Sequence, residues 1–347
     1  MSTTDTPVDA HHRPTVALTL GDPAGIGPEL VARLLHRPRT TERARVLVLA
    51  ARAELEAAYR AAGVPPLPVG ADGAPGTVVL LDDGTPPAQV APGRTSAEAG
   101  ARALHQLDRA VGLVREGRAD AIVFAPLNKT SLHLAGMVEE DELRWFASRL
   151  GHSGPTSELN VLDGLWTARV TSHIPLSAVA GKVTAERVEA ITTLLHEALR
   201  DAGHEPRLGV CALNPHNGEN GAFGREEIDQ IRPGVERARA RGIDVSGPFP
   251  SDTIFLAARR GDFNGIVTMF HDQGQIAMKL IGFSGGVTVQ GGLPVPIATP
   301  AHGTAFDIVG RGVADPTSTI NAFDIAVSTA TAALTRATTT PDRRPAP

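Results

Sequence analysis

The chain has 347 residues, of which 42% are hydrophobic, 20% charged and only 4% aromatic, enough apolar material for a sizeable core and for two subdomains. The formal net charge is −5, so there is no basic surface of the kind that binds nucleic acid or anionic lipid. The one cysteine, Cys211, excludes an internal disulfide framework and a cysteine-built zinc cluster, and in the apolar run GVCAL it reads as a buried, inert thiol.

The opening stretch MSTTDTPVDAHHRP lacks the basic start and apolar centre of a signal peptide, and residues 1–13 read as a disordered arm. No segment approaches the roughly 18 apolar residues of a membrane span, so a cytoplasmic protein without membrane partners is expected. Short apolar runs then alternate with longer helical patterns. TVALTL (15–20), RVLVLA (45–50), TVVLL (77–81), AIVFAP (121–126), ARVTS (168–172), RLGVCAL (207–213) and GIVTMF (265–270) read as strands. Helical patterns fall near 28–36, 52–62, 98–116, 141–150, 184–202, 225–240 and 315–334. This alternation predicts an α/β fold with a largely parallel sheet, whose post-strand loops carry the chemistry. Residues 63–96, rich in Gly, Pro and Asp, are the most loop-like stretch, and the proline-rich end from 336 to 347 reads as a flexible tail.

Four segments carry candidate chemistry. GDPAGIGPEL (21–30) follows a strand and opens a helix; its glycines suit either close backbone approach to an anionic ligand or a plain tight turn, and it is neither GxGxxG nor a Walker A loop. His173, His216 and His271 each sit just past an apolar run. In a parallel sheet such positions converge on one edge, where three imidazoles can share a divalent cation and leave coordination positions open; for each histidine singly, a hydrogen-bonded structural role is the competing reading. In HDQGQIAMK (271–279), Asp272 is a candidate partner or base, and Lys279 a candidate for pairing with a substrate anion or moving a proton, against a solvated turn and a surface lysine. In TPAHGTAFDIVGRG (299–312), His302, Thr304 and Asp307 stand beside glycines in a loop able to hold a dinucleotide.

Together these blocks resemble the 4-hydroxythreonine-4-phosphate dehydrogenase family of pyridoxal phosphate biosynthesis. The matching stretches are GDPAGIGPE, PLNK (126–129), TSHIPL (171–176), NPHNGENGAFGREE (214–227), GPFPSDTIF (247–255), MFHDQG (269–274) with Lys279, GLP (292–294) and HGTAFD (302–307), in family order over about 15–335. The resemblance implies two α/β/α subdomains with a central cleft, similar to isocitrate and isopropylmalate dehydrogenases. Residues 14–130 with 295–335 would form one subdomain and 131–294 the other, in a homodimer. It implies a divalent metal on His173, His216 and His271, zinc first, with magnesium, manganese or cobalt as substitutes. It also implies NAD or NADP bound without a Rossmann fingerprint, and it assigns cofactor contacts to Asp252, His302, Thr304 and Asp307. The implied reaction is oxidation of a small hydroxy acid, with loss of CO₂ from the β-keto acid formed. The metal would acidify the hydroxyl and polarise the new carbonyl, and the nicotinamide would accept the hydride.

The chain departs from the family at the substrate end. Glu142 and Leu143 stand where the family has His and Thr, Thr288 where it has Asn, and Ile297 where it has Arg; Arg144 is the one nearby cation. With Glu142, Lys279, Thr288 and Ile297 as the substrate-facing set, the expectation is a substrate that lacks the phosphate dianion. Related branches oxidise sugar-acid phosphates or the cis-dihydrodiol made from terephthalate. Outside this class, a metal-dependent hydrolase using the same histidines with Asp272 as base, and a non-catalytic binding protein, are the alternatives.

Overall fold

The computed structural model describes residues 13–282 and 284–339. Up to residue 141 the elements are β1 (Thr15–Thr19), α1 (Gly27–His36), α2 (Pro38–Arg43), β2 (Arg45–Leu49), α3 (Arg52–Ala62), β3 (Val79–Leu80), α4 (Ala97–Arg115), β4 (Ala121–Phe124) and α5 (Lys129–Leu134). There follow α6 (Glu142–Leu150), β5 (Ser157–Leu162), β6 (Leu165–Arg169), α7 (Leu176–Val179), α8 (Ala185–Asp201), β7 (Leu208–Cys211), α9 (Arg232–Ala240), β8 (Val245–Phe249), α10 (Ile254–Arg259), β9 (Gly265–Thr268), α11 (His271–Ile281) and β10 (Val287–Gly291). Last come β11 (Ile297–Pro300) and α12 (Thr317–Thr339). The chain falls into two compact units, Met1–Asp141 with Val295–Pro347, and Glu142–Pro294.

In the first unit the strands run parallel in the order β3-β2-β1-β4-β11. The strands β1, β2 and β4 are apolar along almost their whole length and buried residue after residue, as strands covered on both faces must be. Helix α4 packs on β1 and β4, and α12 on β4 and β11. Leu18, Leu30, Leu34, Leu49, Ile122 and Phe323 are fully buried there. Helix starts are marked by side-chain caps: Ser96 accepts from the Ala99 amide at 3.1 Å, and Asn128 from Ser131 at 2.9 Å. The crossing into the second unit falls after Asp141, not near residue 130, because α5 packs on α4. Gly100 permits that approach, since a Cβ there would lie only 1.9 Å from the Ser131 carbonyl oxygen. Helix α12 runs on to Thr339, past the expected start of the tail at 336.

In the second unit the order is β10-β5-β6-β9-β7-β8. The strands β6, β9, β7 and β8 are parallel neighbours, whereas β10 and β6 both run antiparallel to β5. The antiparallel part was not foreseen. The order places the C-terminal ends of β6, β9 and β7 side by side. A core of Leu162, Leu165, Cys211, Ile254, Ile266 and Met278 packs around these strands, with Trp145, Phe146 and Trp166 also buried in this unit. No helix among the described residues is long and apolar enough to cross a membrane.

Candidate active site

The three histidines follow the ends of three adjacent parallel strands, His173 after β6, His271 after β9 and His216 after β7. The β6–β9 ladder continues past the strands proper: Val170 donates to Thr268 at 2.9 Å, and Thr171 reaches the Met269 carbonyl through its amide at 3.1 Å and its hydroxyl at 2.7 Å. That zipper brings the His173 loop against the start of α11. The rings of His173 and His271 stand 5.8 Å apart, centroid to centroid, tilted by 44°. They line a pocket of about 300 Å³ together with Ile174, Leu176, Phe270 and Asp272. His271 Nδ1 lies 2.7 Å from Asp272 Oδ1, so the carboxylate orients the imidazole and leaves Nε2 as the free ligand atom. His173 itself has a φ of 25°, a left-handed backbone that a β-carbon disfavours.

His216 is held differently. It opens a left-handed turn in which His216, Asn217, Gly218, Glu219 and Asn220 all have positive φ, between 43° and 74°. Each non-glycine residue in such a turn costs on the order of 1–2 kcal/mol. The turn is fixed at its base by Glu227, a buried carboxylate that accepts from the Leu213 and Asn214 amides at 2.8 and 2.7 Å and from Asn214 Nδ2 at 2.9 Å. Gly218 sits over this carboxylate, where a Cβ would lie 2.6 Å from Oε2. The His216 ring faces Phe223 at 6.4 Å. Among the described residues, the ligating atoms of the three histidines do not form one group within 4.8 Å of one another. The structure thus brings His173 and His271 together and leaves His216 at the tip of a neighbouring loop.

Gln273 ties these segments at their roots, a role the sequence reading did not give it. The Met269 amide donates to its Oε1 at 2.7 Å, and its Nε2 donates to the Ala212 carbonyl at 2.8 Å, joining the ends of β9 and β7. Lys279 lies on α11 two turns beyond His271, at the i+8 position of the same helix face, with an exposed side chain. Thr288, on β10, accepts from Asn160 Nδ2 at 3.4 Å. Glu142 opens α6 and is partly buried, and Asp252 is exposed in the turn after β8. Two positions of the expected substrate end belong to the core instead. Leu143 is 1% exposed, and Ile297 is 0% exposed, paired with Ile122 inside the parallel sheet of the first unit. Ile297 therefore packs the sheet and does not face a soluble ligand, which corrects its place in the substrate-facing set.

His302, Thr304 and Asp307 lie in the first unit. The buried Thr304 accepts from the Ile26 amide at 3.1 Å through its carbonyl, and its Cβ would be 2.8 Å from a side chain at Gly25. A Cβ at Gly21 would meet the Ala125 and Pro126 oxygens at 2.6 Å. Packing thus accounts for both glycines, as the tight-turn reading of GDPAGIGPE requires. His302 Nδ1 pairs with its neighbour's carbonyl, Gly303 O, at 3.0 Å, and Asp307 is exposed. Beside the 21–26 turn is a mostly apolar pocket of about 400 Å³, lined among others by Pro23, Gly25, Ile26, Glu54 and Val309. Asp22 is buried nearby, and burial raises its carboxyl above the usual carboxylate range, offset in part by the Ala24 amide.

Comparison with known proteins gives this geometry a class. A Pseudomonas aeruginosa protein provisionally named 4-hydroxythreonine-4-phosphate dehydrogenase 2 is 53% identical, over 92% of this chain and 98% of its own length. The D-threonate 4-phosphate dehydrogenase of Cupriavidus necator is 41% identical, over 89% of this chain and 95% of its own. The crystal structure of a 4-hydroxythreonine-4-phosphate dehydrogenase from Burkholderia phymatum superposes with a TM-score of 0.77 at 37% identity, covering 91% of this chain and 98% of that one. The fold and these relatives define an oxidoreductase, a dehydrogenase acting on a CH–OH group. The sequence pattern of the pyridoxal phosphate biosynthetic protein PdxA matches residues 42–326, and the chain belongs to the PdxA family.

Proposed function

We propose that this dehydrogenase oxidises a small hydroxy acid with NAD or NADP and a divalent metal, and that the β-keto acid formed loses CO₂. The observation that carries the metal site is the His173–His271 pair, two imidazoles side by side with Asp272 on the Nδ1 of one of them. A donor set of imidazoles suits zinc first and cobalt next, while manganese or magnesium would need oxygen ligands from substrate or water to fill out the site. His173 and His271 would hold the ion, and His216 would complete the set by an adjustment of its exposed loop tip, whose base Glu227 keeps fixed.

Bound there, the metal would polarise the substrate oxygen, and the nicotinamide would take the hydride. Asp272 would fix the tautomer of His271 and not act as the base, since its carboxylate is already engaged. Lys279 would pair with the substrate carboxylate or with the oxygen that loses its proton. Asp252, His302, Thr304 and Asp307 are the proposed cofactor contacts, with Thr304 acting through the backbone it braces. Ile276 and Leu280, 60% and 83% exposed on α11, form an apolar stripe suited to a second copy of the chain, in line with a homodimer. A cytoplasmic setting agrees with this small-molecule chemistry.

The test is formation of reduced nicotinamide from a panel of small hydroxy acids, with and without their terminal phosphate, in zinc, manganese or magnesium. Turnover that chelator abolishes and metal restores is expected. Nicotinamide-independent hydrolysis at the same histidines would replace this reading with the hydrolase one.

A further inference from the structure

The polar face of β5 and β6 carries a brace that reaches both histidine-bearing segments. Asn160 stands opposite Thr167 across these antiparallel strands, and the same register sets Glu158 of β5 against Arg169 at the end of β6. Arg169 is 6% exposed, and each of its three guanidinium nitrogens has a partner. One Nη pairs with the Glu158 carboxylate, the other donates to Asn160 Oδ1 at 3.2 Å, and Nε donates to Ser172 Oγ at 2.9 Å. Gln275 Nε2, on α11, donates to the same Asn160 oxygen at 2.7 Å. Ser172 immediately precedes His173, and Gln275 stands one helical turn beyond His271. A continuous run of hydrogen bonds, Ser172 to Arg169 to Asn160 to Gln275, therefore joins the residue before one histidine to the helix that begins at the other.

Three observations give this brace a role in geometry. Every nitrogen of the guanidinium is engaged, so the group is built to hold its neighbours and not to take a ligand. A buried ion pair adds little net stability, because desolvation offsets the attraction, so the Arg169–Glu158 pair is a weak device for holding the fold. The Nε bond lands on the residue just before His173, whose φ of 25° is a left-handed backbone that persists only where its surroundings over-determine it. The planar fork of an arginine can serve a carboxylate, an amide and a hydroxyl in fixed directions at once, and the Glu158 carboxylate fixes the fork itself. We propose that Arg169 is a positioning residue that, through Ser172 on one side and Asn160 and Gln275 on the other, holds His173 and His271 at the spacing a shared divalent cation requires. The proposal rests on the metal reading above. It gives the His173 segment a support of its own, as Glu227 is for His216 and Asp272 for His271.

The test measures zinc affinity by competition against a chromogenic chelator, together with the thermal midpoint of each metal-free protein. Ser172→Ala removes one link at a partly exposed position. Arg169→Lys keeps a cation beside Glu158 but cannot serve three partners at once. Each is expected to weaken zinc binding about tenfold or more, and Ser172→Ala to leave the metal-free midpoint unchanged. The double variant is expected to lose no more than Arg169→Lys alone, since both changes break one chain of contacts, and Ser172→Thr, which keeps the hydroxyl, to retain wild-type affinity. Wild-type affinity in Ser172→Ala, additive losses in the double variant, or a loss in Ser172→Thr equal to that in Ser172→Ala overturns the proposal; should Arg169→Lys not fold, the two Ser172 variants decide. In parallel, NMR cross-relaxation between the ring protons of His173 and His271 is recorded on the metal-free proteins. If the wild type binds no zinc, the metal reading fails and this second measurement decides the brace. A ring–ring signal present in the wild type and lost in the variants supports it, and an unchanged signal, or none in the wild type, overturns it.

Discussion

Asn214 and Glu227 grip each other twice, the Asn214 amide donating to one carboxylate oxygen at 2.7 Å and its side-chain nitrogen to the other at 2.9 Å. The same carboxylate also takes the Leu213 amide. Glu227→Ala leaves the partly buried Leu213 and Asn214 amides unpaired, while Asn214 Nδ2 keeps Glu226 as a partner at 2.7 Å, and should cost on the order of 2–3 kcal/mol, read as a lower urea midpoint at unchanged m-value. Glu227→Gln keeps one acceptor oxygen but turns a donor toward Asn214, so an intermediate loss is expected. A wild-type midpoint in Glu227→Ala would mean that water or other groups satisfy the loop.

His173→Ala and His271→Ala should each weaken zinc binding at least about a hundredfold and abolish useful dehydrogenase activity. His216→Ala should weaken binding as well, because the tip of its loop is the proposed third ligand. The measurement is competition against a chromogenic chelator. Full zinc affinity in His216→Ala would restrict the site to the pair seen side by side.

Asp272→Asn separates two roles. As an orienting partner of His271, Asp272 should cost about 10–100-fold in metal affinity when neutralised. As a general base it would leave the metal in place and lower kcat alone. Metal content measured alongside kcat decides between them, and the first outcome is expected.

Lys279→Ala should lower kcat/KM on the order of 10² with metal content unchanged. Near-normal turnover would make Lys279 a surface residue.

Asp22 gives a pH signature. Burial raises its carboxyl in the folded state, so at pH between the ordinary value and the raised one the folded protein binds more proton there than the unfolded chain does. The stability this group contributes is present in acid and is lost as pH rises from the ordinary carboxylate range through the raised value. Asp22→Asn keeps the acceptor for the Ala24 amide. Its thermal midpoint should therefore match the wild type in acid and exceed it at neutral pH. A midpoint below wild type at neutral pH would show that the charged form is the stabilised one.

The strands that were legible in the sequence are those whose residues are apolar throughout, such as β1, β2 and β9, and the three histidines could be placed at strand ends because those runs stop abruptly. Of the strands that were missed, β5, β8, β10 and β11, the first and third read SELNVL and VTVQG. Their alternation of polar and apolar residues is the ordinary mark of a strand with one polar face, and it lacks the continuous apolar run by which the buried parallel strands stand out. Helix α11 was hidden for a similar reason: it begins at a chemically conspicuous HDQG that reads as a turn. Distances between loops were not legible. No pattern in the sequence says that His173 and His271 stand together while His216 turns toward Phe223, because left-handed backbone at a histidine is set by what packs beneath it. Ile297 shows the converse hazard, since an aligned position kept its place in the fold while its side chain belongs to the core.

Cys211 lies within β7, fully buried, and burial pushes its thiol well above the usual range, so it stays protonated and out of reach of alkylating reagents. As the chain's single cysteine, it leaves the folded surface without a competing thiol. A cysteine introduced at the exposed Ala222 would then be the one site a maleimide dye can reach, with the native sequence otherwise intact. The fluorescence of that reporter during a zinc titration would record, in real time, whether the loop bearing His216 travels toward the other two histidines.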